Sequence, residues 1–396
     1  MKKILFILMG AVLVLQFSCA QAPKKEIVRV FYPPLHADKP RIQFLQSINS
    51  ERDIGKESSE FVKFLTGEEE ERSNIIMRPY DIAAVNGRIY ISDIGLKKIL
   101  ILDLENKKFD IIKDKDEGEI IGLSGIWVTE DDIKYVADNA RKKIIVFGKE
   151  NEFIRTYGEE DQFLKPVDVA VYKDRIYVCD MLKHEVLVLD KDTGSTIQII
   201  GGRGEDGGYF HRPTHVVVDS QGNLYVTDPL NFRIQKFDPE GKFVYAYGFQ
   251  GDSYGAFAKP KGLAIDEENY LYAVDFAFQN VQIFDIETRV VLLFFGGMGN
   301  TPGSMNMPSS IYIDYNNLEY FQKYADKDFK LKYLLYVGNV WGDQKLNVYG
   351  FGDWTGELPE KEVSEEAGGE AVDEREAGEG EALIKNEDGS AKEKTE

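Results

Sequence analysis

The feature that most constrains this chain is a block that recurs six times. Each copy opens on a short β-branched strand, usually introduced by proline: PYDIAAV from 79, LSGIWV from 123, PVDVAV from 166, PTHVVVD from 213, PKGLAID from 260 and PSSIYID from 308. Their starts lie 44, 43, 47, 47 and 48 residues apart. A second strand follows in each copy and ends on Asp93, Asp138, Asp180, Asp228, Asp275 and, in the sixth, Asn339. Third strands come next (KILILD, KIIVFG, EVLVLD, RIQKFD, VQIFD, KLNVYG), and then an aromatic-rich segment closing on glycine. The apolar runs are short and broken by Gly, Pro and Asp, which excludes a helical reading. Four short strands per unit of about 45 residues is the spacing of a propeller blade. The expected fold is all-β, a propeller of six blades with four antiparallel strands each.

Ring closure is also legible. The sixth unit has three strands and stops at Gly352, so its fourth strand is expected from upstream of the first unit. FVKFL at 61–65 matches FIRTY at 153 and FVYAY at 243, each shortly before an inner strand, and is taken as the closing strand. The propeller is thus expected over 61–352, closed by an N-terminal strand that leaves no open edge. RIQFLQSI at 41–48 is strand-like without an assigned place.

The two ends read differently from the body. Residues 1–18 begin with two lysines and continue in an apolar run from Ile4 to Leu15. That run suits a secretory signal and is too short for a membrane span. It ends at Ser18, Cys19 and Ala20, which resembles a bacterial lipoprotein signal with Cys19 as the lipidated residue. The usual Leu three places before the cysteine is here Gln16, with Leu15 one place early. Residues 19–60 are expected to be the anchor linker and N-terminal lead. Residues 353–396 are expected to be a disordered acidic tail. From Glu357 onward that tail holds 15 acidic and 5 basic residues, a net -10 out of the chain's -20. The acidic balance argues against a nucleic-acid partner. Two cysteines exclude a disulfide framework and a Cys-based zinc site.

RPTHVVVDSQGNLYVTDPLNFRIQKFDPEG at 212–241 resembles an NHL repeat, with its N-x-R-I-Q-x-F stretch at Asn231, Arg233, Ile234, Gln235 and Phe237. The fifth unit is similar, with Val281 replacing the arginine. The lead YPPLHADKPRIQFLQSI resembles the start of NHL-repeat bacterial lipoproteins with a six-bladed propeller. The resemblance covers about residues 28–352 and implies the fold, a lipid anchor and placement in the cell envelope, facing periplasm or cell surface. It says little about activity, because propellers host unrelated functions.

In a propeller the inner strands line a central channel, so the residues two after each proline position should ring its mouth. These are Asp81, Gly125, Asp168, His215, Gly262 and Ser310. Asp81, Asp168, His215 and Ser310 are the candidate ligand-binding residues, and Asp81, Asp168 and His215 the candidate metal ligands. An oxygen-rich set suits calcium. The NHL-like amidating lyases and related lactonase propellers use channel metals, but the amidating type needs several channel histidines, and only His215 of the four histidines is clearly placed there. The repeated Asp residues at second-strand ends are expected to bond backbone N–H groups in the following turn. Arg233 and Gln235 are expected to bridge blades, and Cys179 to be a buried, inert thiol. No nucleophile elbow, phosphate loop or haem motif occurs.

Acidic clusters at Glu68–Glu71, Glu159–Asp161 and Glu205–Asp206 fall in three successive loops on the mouth face and could steer a cationic partner. The expected function is a non-catalytic, lipid-anchored binding or scaffold module for a protein, peptide or glycan in the cell envelope. Its binding surface is expected at the channel mouth or the insertion at 315–332, whose 318–330 part reads as a short helix. The competing expectations are a metal-dependent lyase or lactonase using the channel mouth, and an accessory of envelope electron transfer.

Overall fold

The computed structural model describes residues 30–35, 37–55 and 74–357. The expected signal and Cys19 lie outside the described residues, as do the proposed closing strand at 61–65, the acids at 68–71 and all but the start of the tail. Among the described residues no helix is long and apolar enough to cross a membrane.

Six antiparallel sheets form the propeller, each with its first strand innermost. The inner strands are Pro79–Val85, Leu123–Val128, Pro166–Tyr172, Val216–Val218, Pro260–Ile265 and Pro308–Asp314, in blades 1 to 6. Five of them carry a register shift just after their first residue, where the ladder is locally interrupted. Proline suits this entry, because it fixes its own φ and needs no ladder partner for a missing N–H.

Blade faces pack on one another, so both sides of each strand are apolar. In the second strand of blade 6, Phe329–Asn339, Leu335 and Val337 face blade 5 alongside Tyr272, Val274 and Phe295. Leu334 and Tyr336 on its other side face blade 1 alongside Ile82, Ile89 and Leu100. Each such side chain, fully buried, contributes roughly 1.5–3 kcal/mol.

Closure differs from the expectation. The fourth strand of blade 6 is Ile42–Ile48, antiparallel to Leu346–Trp354 in the register Ile42 opposite Phe351 through Ile48 opposite Leu346. A fifth strand, Val30–Tyr32, pairs outside it. The sheets thus begin at Val30 and end at Trp354, so part of the expected linker belongs to the ring. The reason is burial on two faces: Ile42 and Phe44 pack toward blade 5, Leu45 and Ile48 toward blade 1, and a register shift between Phe44 and Gln46 turns the strand from one to the other.

The insertion in blade 6 is helical only over Leu318–Gln322, and from Phe329 its chain belongs to the second strand. It joins the far ends of two strands, on the face opposite the channel mouth. Phe321 is fully buried there and lies 6.1 Å from Tyr336, so this segment packs into the core between blades 6 and 1.

Candidate functional site

Two sets of polar side chains stand at the mouth face. The first is the repeated Asp. Asp138 accepts N–H bonds from Ile121, Gly122, Ala140 and Arg141 at 2.8–3.0 Å, joining the turn after its own strand to the loop that enters the inner strand. Asp93, Asp180 and Asp275 each do the same with four backbone N–H groups. All are fully buried, and their role is structural. Asp228 takes one backbone bond, from His211, and its other oxygen accepts from Asn231, Arg233 and Gln235. This is the physical content of the N-x-R-I-Q stretch. Arg233 and Gln235 also donate to Tyr209 O in the loop arriving from blade 3, which makes them the expected bridges.

The second set rings the channel. A cavity of about 190 Å³ is lined by all six inner strands; Asp81, Asp168 and His215 are the acidic and imidazole groups on its wall, beside Tyr312, Trp127 and Val, Ile and Leu side chains. Asp81 accepts from its own Ile82 N–H and, across the blade boundary, from Ile126 N–H, both at 2.9 Å. Asp168 accepts likewise from Val169 at 2.9 Å and from Val216 of blade 4 at 2.8 Å. These carboxylates staple blade 1 to 2 and blade 3 to 4. The glycines at equivalent positions permit the close approach: a Cβ on Gly125 would lie 2.1 Å from Asp168 Oδ1, and one on Gly262 would lie 2.5 Å from Ser310 Cα.

Burial raises the Asp81 carboxyl to about 6 against the pull of its two N–H partners. Burial and then Asp81 itself push Asp168 well above the usual range. Burial, with a smaller contribution from Lys261, lowers His215 to about 3, so its imidazole is neutral at ordinary pH. His215 Nδ1 is 3.1 Å from Thr214 Oγ1, whereas its buried Nε2 has no partner. Ser310 is buried too and its Oγ has no partner; the hydroxyl lies toward Gly338 of the second strand. The structure thus brings Asp81, Asp168 and His215 to one cavity and leaves Ser310 behind its wall. Cys179 is fully buried with its thiol pushed up by burial.

The residues do not fit a resident metal. Among the described residues no three His, Cys, Asp or Glu side chains converge to hold one. Both carboxylates already face N–H donors, and one imidazole does not make a histidine set.

Side chains beside the candidate positions complete the mouth. Tyr80 of blade 1 stacks on His215 of blade 4, the blade opposite, at 5.7 Å and 20°. Lys261 of blade 5 lies 5.4 Å from the Tyr80 ring. The residue before the proline position is basic in four blades: Arg78, Lys165, Arg212 and Lys259. This collar was readable by aligning the blades at their prolines. The acids Glu159–Asp161 and Glu205–Asp206 are exposed on the same face but come earlier in the inbound loops, toward the rim.

A family described as a 6-bladed beta-propeller matches residues 158–231. The chain is 31% identical over 108 residues to a probable peptidyl-alpha-hydroxyglycine alpha-amidating lyase of Caenorhabditis elegans, covering 26% of this chain and 31% of that protein. It is 34% identical over 108 residues to the peptidylglycine alpha-amidating monooxygenase of Rattus norvegicus, covering 26% of this chain and 11% of that one. The chain spans less than a third of the length of these curated relatives. An auxiliary nutrient binding protein from Bacteroides thetaiotaomicron superposes with a TM-score of 0.52 at 13% identity, over 69% of each chain, a likeness of fold alone. The protein is an all-β six-bladed propeller, and a stretch of 108 residues in it is similar to the two amidating proteins.

Proposed function

We propose that this propeller is a non-catalytic binding module for a protein, peptide or glycan, held in the cell envelope by a lipid on Cys19. The observation that carries the reading is that Asp81 and Asp168 spend both carboxylate oxygens on N–H groups of adjoining inner strands. Groups so bonded serve the ring, which leaves the mouth a rigid rim for recognition. Capture of a partner from envelope extract on the immobilised full chain tests it. Loss of that partner on altering mouth residues, but not far-face residues, is the expected result. Failure to retain any partner at the mouth would overturn the reading. Labelling with a radioactive fatty acid tests the anchor: the label should vanish with Cys19→Ala.

One observation favours a second reading, a lyase acting on peptidyl α-hydroxyglycine: the 31–34% identity to the amidating proteins. Incubation of the purified chain with such a peptide separates the two. Cleavage that disappears with His215→Ala would establish the lyase, and intact peptide with no metal in the purified protein would leave the binding module.

A further inference from the structure

The mouth holds cations that no described carboxylate neutralises. Lys259 and Lys261 flank Pro260, and both ammonium groups lie over the Phe276 ring, at 5.0 and 5.2 Å. Neither makes an ion pair or a side-chain hydrogen bond among the described residues. Two like charges beside one aromatic ring repel each other, and although Lys259 is exposed, the partial burial of Lys261 weakens the water screening at its ammonium group. Burial and Lys259 accordingly lower Lys261 to about 8. Beside them stands His215, 3% exposed, with an unpartnered Nε2. An orphaned buried nitrogen costs free energy until a ligand meets it. When Nδ1 accepts the Thr214 hydroxyl proton, Nε2 carries hydrogen and is a donor.

A neutral ligand could satisfy His215 but would leave the half-buried Lys261 ammonium unpaired. An anion meets both. Its charge is limited by Asp81, which lines the same cavity as His215 and, once ionised above about pH 6, would repel a second negative charge. Arg78, Lys165 and Arg212 extend the basic collar around the approach and would draw an anion inward. We propose that the channel mouth is a binding site for a ligand presenting a singly charged carboxylate. Lys259 and Lys261 are its charge partners, the Tyr80–His215 stack is its wall, and His215 Nε2 is a neutral donor. The inference rests on the binding-module reading and names the charge class that site takes.

Titration calorimetry on the full chain tests it with three probes: N-acetylglycine for a peptide carboxylate, glucuronate for an acidic sugar, and inorganic phosphate. The uncharged N-acetylglycinamide is the control. At least one carboxylate should bind and the amide should not, the tighter of the two carboxylates assigning the source. Lys261→Met should weaken binding about tenfold or more, as loss of a charge-assisted contact requires, and Lys261→Arg should retain it. An unchanged thermal midpoint, or a raised one, shows that the Met variant folds. Phosphate binding tighter than both carboxylates, carboxylate binding unaffected by Lys261→Met, or no carboxylate binding at all would each overturn the proposal. If the carboxylates fail while the envelope partner is still captured at the mouth, only this inference falls. If both fail, the binding-module reading falls with it.

Discussion

Two polar rings at the same end of the propeller differ in how their bonds are met. Asp93, Asp138, Asp180 and Asp275 recur blade by blade, are fully buried, and each accept four backbone N–H bonds. The ring around the axis does not recur. Asp81 and Asp168 are bonded, but His215 Nε2 and Ser310 Oγ are not, and Lys261 has aromatic rings for neighbours in place of a carboxylate. A residue present in almost every blade answers a need that every blade shares, here the joining of one turn to the next loop. A residue present in one blade answers something particular to the axis.

The comparison can be broken first at the repeated ring. Asp138→Ala would orphan four N–H groups, at about 1–3 kcal/mol for each that stays buried. Since some will find water, a loss of about 4 kcal/mol is expected in urea denaturation. A loss below about 1 kcal/mol would mean that the turn rebonds and that the repetition has another cause. Next comes the close approach of inner strands. Gly125→Ala places a methyl against Asp168 Oδ1 and, at 2.8 Å, its Cα, so the strands must part. Overpacking of this kind costs about 2–3 kcal/mol, readable as a lowered thermal midpoint.

A third test uses pH. The folded state holds Asp81 at about 6, above its ordinary 3.8, so it binds the proton more tightly than the unfolded chain does. The stabilisation this gives is complete below about pH 4 and is lost as pH rises through about 6. Its size is about 2 kcal/mol, allowing for partial exposure. Asp168 acts in the same direction. Denaturation curves between those pH values should flatten in Asp81→Asn. The smallest effect is expected at Ser310→Ala: a hydroxyl without a partner can be removed within about 0.5 kcal/mol of neutrality. A large loss there would show that Ser310 is bonded, and would erase the contrast between the rings.

Local patterns carried much of this. The proline-led strands, the Asp-terminated second strands and the spacing of the blades all reflect contacts made within about 45 residues, and they sit where the pattern put them, save that the inner strand of blade 4 is only Val216–Val218 and starts three residues after Pro213. The repeated Asp bonds were equally legible, because strand ends always present N–H groups. The closing strand was not. FVKFL at 61–65 matched its counterparts in local pattern, yet the place in blade 6 belongs to Ile42–Ile48, whose partner strand lies some 300 residues later. The insertion likewise read as a presented surface, whereas Phe321 and Ala325 pack inward.

By itself, then, the order of residues determined the number of blades, the strands within each and the bonds at their turns, since all of these are short-range choices repeated six times. Only the closed ring decided which N-terminal strand completes blade 6. Only the ring set Tyr80 against His215 across the axis and brought Lys261 of blade 5 to the same Tyr80 ring. Those contacts join residues that no local preference links; they exist because closing six twisted sheets brings every inner strand to one narrow channel.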